Sequence, residues 1–120
     1  MEELIDRIVA NVGIERAVAQ RAVGIILHFL ATEGPADKME TLIAKLPGAG
    51  DAVATARAEG GPLFGMGGIM GAGSRLMAAG LGMGEIQGVN RELIAYAREK
   101  AGDEIVDDIV AAIPGLSQFI

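Results

Sequence analysis

His28 is the only histidine in the 120-residue chain, and it stands between Leu27 and Phe29 in a long apolar run. An imidazole can act as general base or metal ligand, but it needs partners that orient it. The nearest acid in sequence, Glu33, lies five residues on and in another helical turn. His28 therefore reads as a packing or boundary residue. The densest acidic cluster is Asp103, Glu104, Asp107 and Asp108, whose i,i+4 carboxylates share a helix face and could hold a hard cation. Asp103 directly follows Gly102, however, and is expected as the N-cap of a helix whose first turn favours anions. Capping accounts for the cluster without a metal. No cysteine is present, which removes disulfides, thiolate sites and a cysteine nucleophile.

Gly60 to Gly84 is the other stretch to test for chemistry: ten of its 25 residues are glycine, four are methionine, and Arg75 is its only charge. Glycine-rich turns cradle phosphates when the spacing brings backbone N–H groups together. Here Gly65-x-Gly67 is followed by Met70 where a dinucleotide fingerprint requires glycine, and no G-x-x-x-x-G-K-[ST] occurs. Nucleotide binding is not expected, and no cofactor or metal is assigned. Glycine inside a helix costs about 1 kcal/mol relative to alanine, so Gly60 to Gly65 is expected as a loop. From Gly67 to Ala79 the pattern predicts a helix on which Met66, Ile69, Met70, Gly73 and Met77 share a face. Together with Gly71 they form the candidate packing or interface face. Methionines at such positions fill core gaps or make an adaptable binding surface.

Phe64 to Met83 holds one charge in 20 residues and carries small-xxx-small spacings at Gly67/Gly71 and Gly80/Gly84. Arg75 near its middle opposes insertion by about 3 kcal/mol, so a tightly packed helix outside the membrane is expected, with no integral span. Sixteen acidic residues against ten basic leave a net charge of −6. That balance repels phosphate and anionic lipid, and Phe29, Phe64, Tyr96 and Phe119 are too few for base stacking. Nucleic acid is excluded as a partner. The amino terminus, Met1 to Asp6, has no basic n-region or apolar h-region, and a cytoplasmic protein is expected.

The flanking segments must position whatever the centre does. Leu4, Ile5, Ile8 and Val9 form one face of a short helix that Asn11 and Gly13 are expected to stop. Glu15 to Thr32 is the longest periodic run, and its broad apolar arc predicts a central helix touched on several sides. Gly34-Pro35 breaks it, and Pro35 is expected as the first residue of the next helix. That helix carries Met39, Leu42, Ile43 and Leu46 and ends at Pro47-Gly48, with a further short helix expected over Asp51 to Glu59.

The second half repeats the first. At an offset of 67, Met39, Leu42, Ile43 and Leu46 fall on Val106, Ile109, Val110 and Ile113, and Pro47-Gly48 falls on Pro114-Gly115. At 68, Ile25-Ile26 fall on Leu93-Ile94, Gly34 on Gly102 and His28 on Tyr96, which predicts a shared half-buried slot for the two rings. At 69, Val12-Gly13-Ile14 fall on Leu81-Gly82-Met83. The reading is one all-α domain over residues 1–120, a compact bundle of six or seven helices. Its half-repeats, residues about 12–48 and 81–115, each form a helix-loop-helix-Pro-Gly unit and flank a Gly/Met-rich connection at 60–84. Two copies are too few for a solenoid and fit a pseudo-twofold pair.

Leu46-Pro47-Gly48, the run Met66 to Gly71, and Leu81-Gly82-Met83 give this order of features a resemblance to small bacterial proteins of unknown function of the VcgC/VcgE type. The resemblance implies a helical domain and carries no functional residues with it. The leading function is a non-catalytic interaction or self-assembly module, expected as a homodimer because Leu116 to Ile120 form an apolar tail that needs cover. The alternative is a carrier of an apolar small molecule or lipid with the Met/Gly helix as a pocket wall. An enzyme built on His28 is the third class. If residues 67–79 form a buried helix, Gly71→Leu should lower stability by well over the ~0.5 kcal/mol typical of surface sites. Urea denaturation of the variant reads this directly, and unchanged stability would refute it.

Overall fold

The helix with the broadest apolar arc is the one the others surround. The computed structural model describes residues 2–60 and 68–113, without the side chains of residues 57, 59, 60, 68–70 and 72. Among these residues there are seven helices and no strand: α1 (Glu2–Val12), α2 (Arg16–Glu33), α3 (Ala36–Lys45), α4 (Ala49–Gly60), α5 (Gly68–Ala78), α6 (Met83–Ala101) and α7 (Asp103–Ala112). α2 packs against α1, α3, α4, α5 and α6. It buries Ala19, Ala22, Val23, Gly24, Ile25, Ile26, Leu27 and Leu30. Each fully buried Leu or Val contributes roughly 1.5–3 kcal/mol over an exposed one, so α2 is the main hydrophobic investment of the fold. The chain exposes 6,092 Å², close to the ~6,000 Å² expected for a folded monomer of this mass.

Helix ends follow the punctuation in the sequence, with two shifts. α1 stops where Gly13 turns to φ +83°, the left-handed conformation that glycine adopts without a Cβ clash. Pro35 stands one residue before α3 rather than at its first position, and its carbonyl accepts the N–H of Met39 at 2.9 Å. Asp103, expected as an N-cap, is instead the first residue of α7, with Gly102 in the cap position and no side-chain cap bond. Its carboxylate is drawn to Arg98 instead, at 3.4 Å. The α4 helix is longer than expected and runs to Gly60. The loop expected from residue 61, Met66, Pro114-Gly115 and the tail Leu116 to Ile120 lie outside the described residues.

The close backbone approach expected in the Gly/Met segment is found on other elements. A Cβ on Gly24 would lie 3.0 Å from the Ala52 carbonyl oxygen and 3.4 Å from Ala56 Cβ, so α4 rests on α2 through this glycine. A Cβ on Gly88 would lie 2.9 Å from Val12 Cγ2, where α6 meets the end of α1. Within α5, Gly71 is buried, but a Cβ on Gly73 would meet nothing within 4 Å. The helix expected at 67–79 is present as Gly68–Ala78, half of it turned outward.

The two halves match in detail at one point. Leu46 ends α3 at φ −106°, ψ 104°, and Ile113 ends α7 at φ −109°, ψ 106°, each bonding back three residues, to Ile43 and Val110. They differ at the paired glycines: Gly34 is extended at φ −85°, whereas Gly102 is left-handed at φ +95°.

These contacts separate two kinds of glycine. Gly24→Leu is expected to destabilise by on the order of 1–3 kcal/mol through overpacking against α4. Gly73→Ala is expected to stabilise the single copy by about 0.5–1 kcal/mol, because it gains helix propensity and meets no neighbour within the chain. Thermal or urea unfolding of the pair decides it, and equal effects would show that α4 does not depend on Gly24.

Candidate functional site

The only histidine and the only charge of the glycine-rich stretch come together. Arg75 on α5 reaches across to α2 and α4: its NH1 is 3.3 Å from His28 Nδ1, and its NH2 donates to the Ala56 carbonyl at 2.9 Å. A guanidinium has donors only, so Nδ1 of His28 is the acceptor and its ring proton sits on Nε2. The contact joins His28 of α2 to Arg75 of α5. Both residues are half-buried.

A second Arg–ring contact sits between α1 and α6. Arg7 lies 5.6 Å and Lys100 5.5 Å from the centroid of the Tyr96 ring. Tyr96 is buried, not half-buried like His28, because two cations and the α1–α6 seam cover it. Arg7 and Arg75 stand 68 positions apart, as do His28 and Tyr96, and so do the buried Ile8 and Leu76. α1 packs on α6 as α5 packs on α2. The sequence carried this signal: extending the offset of 68 one helix upstream places Arg7 on Arg75.

Several other charges hold helices together. Arg7 donates two hydrogen bonds to Glu99, at 2.6 and 2.9 Å, and one to Glu3 at 3.3 Å. The hydrogen bond from Arg7 holds the Glu99 carboxyl below its usual range, and the same bond raises Arg7. Arg16 ties Asp6 and Glu2 of α1 to the start of α2. Asn11 donates to Glu92 at 3.0 Å. Arg98 takes Asp107 at 2.8 Å, and Lys38 takes Asp108 at 3.2 Å, so the acidic cluster of α7 is consumed by α6 and α3. Arg98, Glu99 and Lys100, in the last turn of α6, are thus cross-links between elements. Local spacing does not show a partner 92 residues away, as Glu99 is from Arg7. Among the described residues no group of three or more His, Cys, Asp or Glu is placed to hold a metal ion. No buried side-chain nitrogen or oxygen among them lacks a hydrogen-bond partner.

A groove of about 410 Å³ lies between α2 and α4, floored by Ala17, Gly24, Ala52 and Ala56 and rimmed by Gln20, Arg21, Asp51 and Thr55. Its rim is polar and charged, and α5 does not contribute to it, so it is not the apolar pocket a Met/Gly wall would make. A void of about 10 Å³ among Leu27, Leu42, Leu93 and Ile109 is far below the few hundred Å³ of a ligand site.

The candidate face is divided by the structure. Gly71 faces inward and is buried, Gly73 is half-buried, and Met77 is 51% exposed. Ile69 and Met70 lie in the first turn of α5, and Met66 lies outside the described residues. Four residues after Gly71 comes Arg75, on the inner side, and four after Gly73 comes Met77, on the outer side, so one helix carries two roles. Met83, at the start of α6 and 48% exposed, stands on the other side of the turn at 79–82 from Met77. Sequence reasoning missed Met83, whose neighbour Gly82 donates its N–H to Glu85 Oε1 at 2.8 Å and so fixes where α6 starts. Among the described residues no helix is long and apolar enough to cross a membrane.

Comparison of the chain with protein-family models, with curated proteins and with solved structures finds no match. Arg75 is then the residue whose removal tests the arrangement. Arg75→Met keeps the apolar stem and removes the charged bond to Ala56, and is expected to lower stability by roughly 1–2 kcal/mol. Hydrogen exchange of α5 amides should rise more than that of α1. Uniform exchange, or no loss of stability, would show that Arg75 does not hold α5 in place.

Proposed function

We propose that this chain is a non-catalytic interaction module that associates with a second copy of itself through the end of α5, the turn at 79–82 and the start of α6. The observation that carries the reading is the placement of the exposed large apolar side chains. Met77 at 51% and Met83 at 48% are the two such residues among those described, and both border the same turn. From Leu76 to Gly84 there is no charge, and Arg75 just before it is directed inward to His28 and Ala56. On a chain of net charge −6, two copies meet with less repulsion where such an uncharged stretch faces its like.

Shape supports the same partner. Added Cβ atoms at Gly73, Gly80 and Gly84 would meet nothing within 4 Å, so these positions are shallow gaps beside the two protruding methionines. A patch that holds both knobs and gaps is self-complementary about a twofold axis, the isologous geometry of most homodimers. Methionine adapts its three rotatable bonds to such a surface. We read the fold itself as two copies of one unit, because Arg7–Tyr96 and Arg75–His28 repeat one contact at one offset of 68. Association between copies would extend a pairing the chain already makes internally.

Sedimentation equilibrium of the full chain tests this. The parent is expected to form dimers, and Met77→Lys combined with Met83→Lys is expected to be monomeric with an unchanged melting temperature. A parent that stays monomeric at high micromolar concentration, or a dimer indifferent to both lysines, overturns the reading.

A further inference from the structure

The six methionines are not chemically equivalent. Met77 is 51% exposed and Met83 48%, whereas Met39 is 2% exposed. Met39 is packed into the α2–α3 corner, where a Cβ on Gly34 would lie 3.3 Å from its Cγ and 3.6 Å from its Sδ. Met77 stands in the last turn of α5 and Met83 is the first residue of α6. A neutral oxidant such as hydrogen peroxide approaches these two sulfurs from solvent without opposition from the net charge of −6.

We propose that Met77 and Met83 form a paired oxidation site through which peroxide weakens self-association. The proposal rests on the association reading above. In each step the thioether sulfur attacks one oxygen of hydrogen peroxide; the S–O bond forms as the O–O bond breaks. The sulfur loses two electrons, the peroxide is reduced, and the proton of the transferred oxygen passes to the departing hydroxide to give water. The product is a polar, chiral sulfoxide in place of a flexible apolar side chain.

Its effect differs between the two states of the protein. On the free surface the new S=O group is hydrated, and the fold of a single copy is not disturbed. Inside an apolar contact the same group loses water, an unfavourable desolvation. Only a change that acts differently on the two states shifts the equilibrium between them, and this one does. Because the modified residues are exposed in the single copy, sulfoxide reductases can reach and restore them.

The experiment treats the full chain with hydrogen peroxide under native conditions and follows it by peptide mass spectrometry and sedimentation equilibrium together. Peptides holding Met77 and Met83 are expected to gain one oxygen each while the Met39 peptide stays unmodified until denaturant is added. Dimerisation is expected to weaken by about tenfold or more. Met77→Leu combined with Met83→Leu keeps apolar volume at both sites. That variant should dimerise like the parent and not respond to peroxide, which assigns the effect to these two residues rather than to the other methionines. Oxidation of Met39 at the same native rate overturns the site. Unchanged association of the oxidised dimer, or an equal response from the leucine variant, overturns the switch. A parent that is monomeric before any treatment overturns the association reading and the switch with it, while the selectivity of oxidation is still decided by the peptide masses.

Discussion

A helix that is apolar around most of its circumference cannot be satisfied by one neighbour, and the fold is the arrangement that covers α2. Eight of its residues are buried, and five other helices lie against it. Covering so much surface with short helices requires one of them to come very close, and Gly24 makes that possible. With hydrogen in place of a Cβ, the Ala52 carbonyl and the Ala56 methyl of α4 can approach the α2 backbone. α5 takes the remaining side of α2, and there the contact is polar: Arg75 bridges His28 and the Ala56 carbonyl. The order of consequences is physical. α4 is seated by shape, and α5 is then seated against α2 and α4 by a charge that α4 helps to satisfy.

How much of this was legible depends on the range of the interaction. The all-α class, the central position of α2 and the apolar faces of α1, α3 and α7 follow from local periodicity, and Leu4, Ile8, Met39, Leu42, Val106 and Ile109 are buried as their spacing predicts. Periodicity reports which side of a helix is apolar, but not which glycine on it a neighbour will use. Gly24 is one residue in an aliphatic run, while the glycines that drew attention at 60–84 include Gly73, which touches nothing. The ionic network was invisible for a related reason: Arg7 and Glu99 are adjacent only after α1 folds onto α6. The candidate face was half legible. Its residues do lie on one helix, but the spacing alone did not show that Gly71 would point to the core and Met77 to solvent.

The distribution of charge also divides the molecule into two surfaces. Around α1, α6 and α7, cations are paired to acids on neighbouring helices: Arg7 with Glu99, Arg16 with Glu2 and Asp6, and Arg98 with Asp103 and Asp107. Each exposed pair adds little stability, typically well under 1 kcal/mol, but several pairs on one seam fix which helices lie side by side. Around the end of α5 and the start of α6 there is no such network, because from Leu76 to Gly84 there are no charges to build it. The paired charges are therefore concentrated away from this region.

Glycine inside a helix is unfavourable by about 1 kcal/mol relative to alanine, so a helical glycine implies a compensating contact. For Gly24 and Gly88 the contact is internal, with Cβ positions within about 3 Å of a neighbouring helix. For Gly73 in α5 and Gly84 in the first turn of α6 it is not, since nothing lies within 4 Å of either. Turn geometry does not account for them either, because neither belongs to the positive-φ glycines at 13, 48, 80 and 102. What Gly73 and Gly84 do have in common is that they flank the two exposed methionines on an uncharged surface. On the association proposed above, two helix-weakening glycines beside two unburied methionines would have a single cause: a second surface that needs room at the glycines and covers the methionines. The contact that offsets their cost would then lie between chains, as the contact that offsets Gly24 lies between helices.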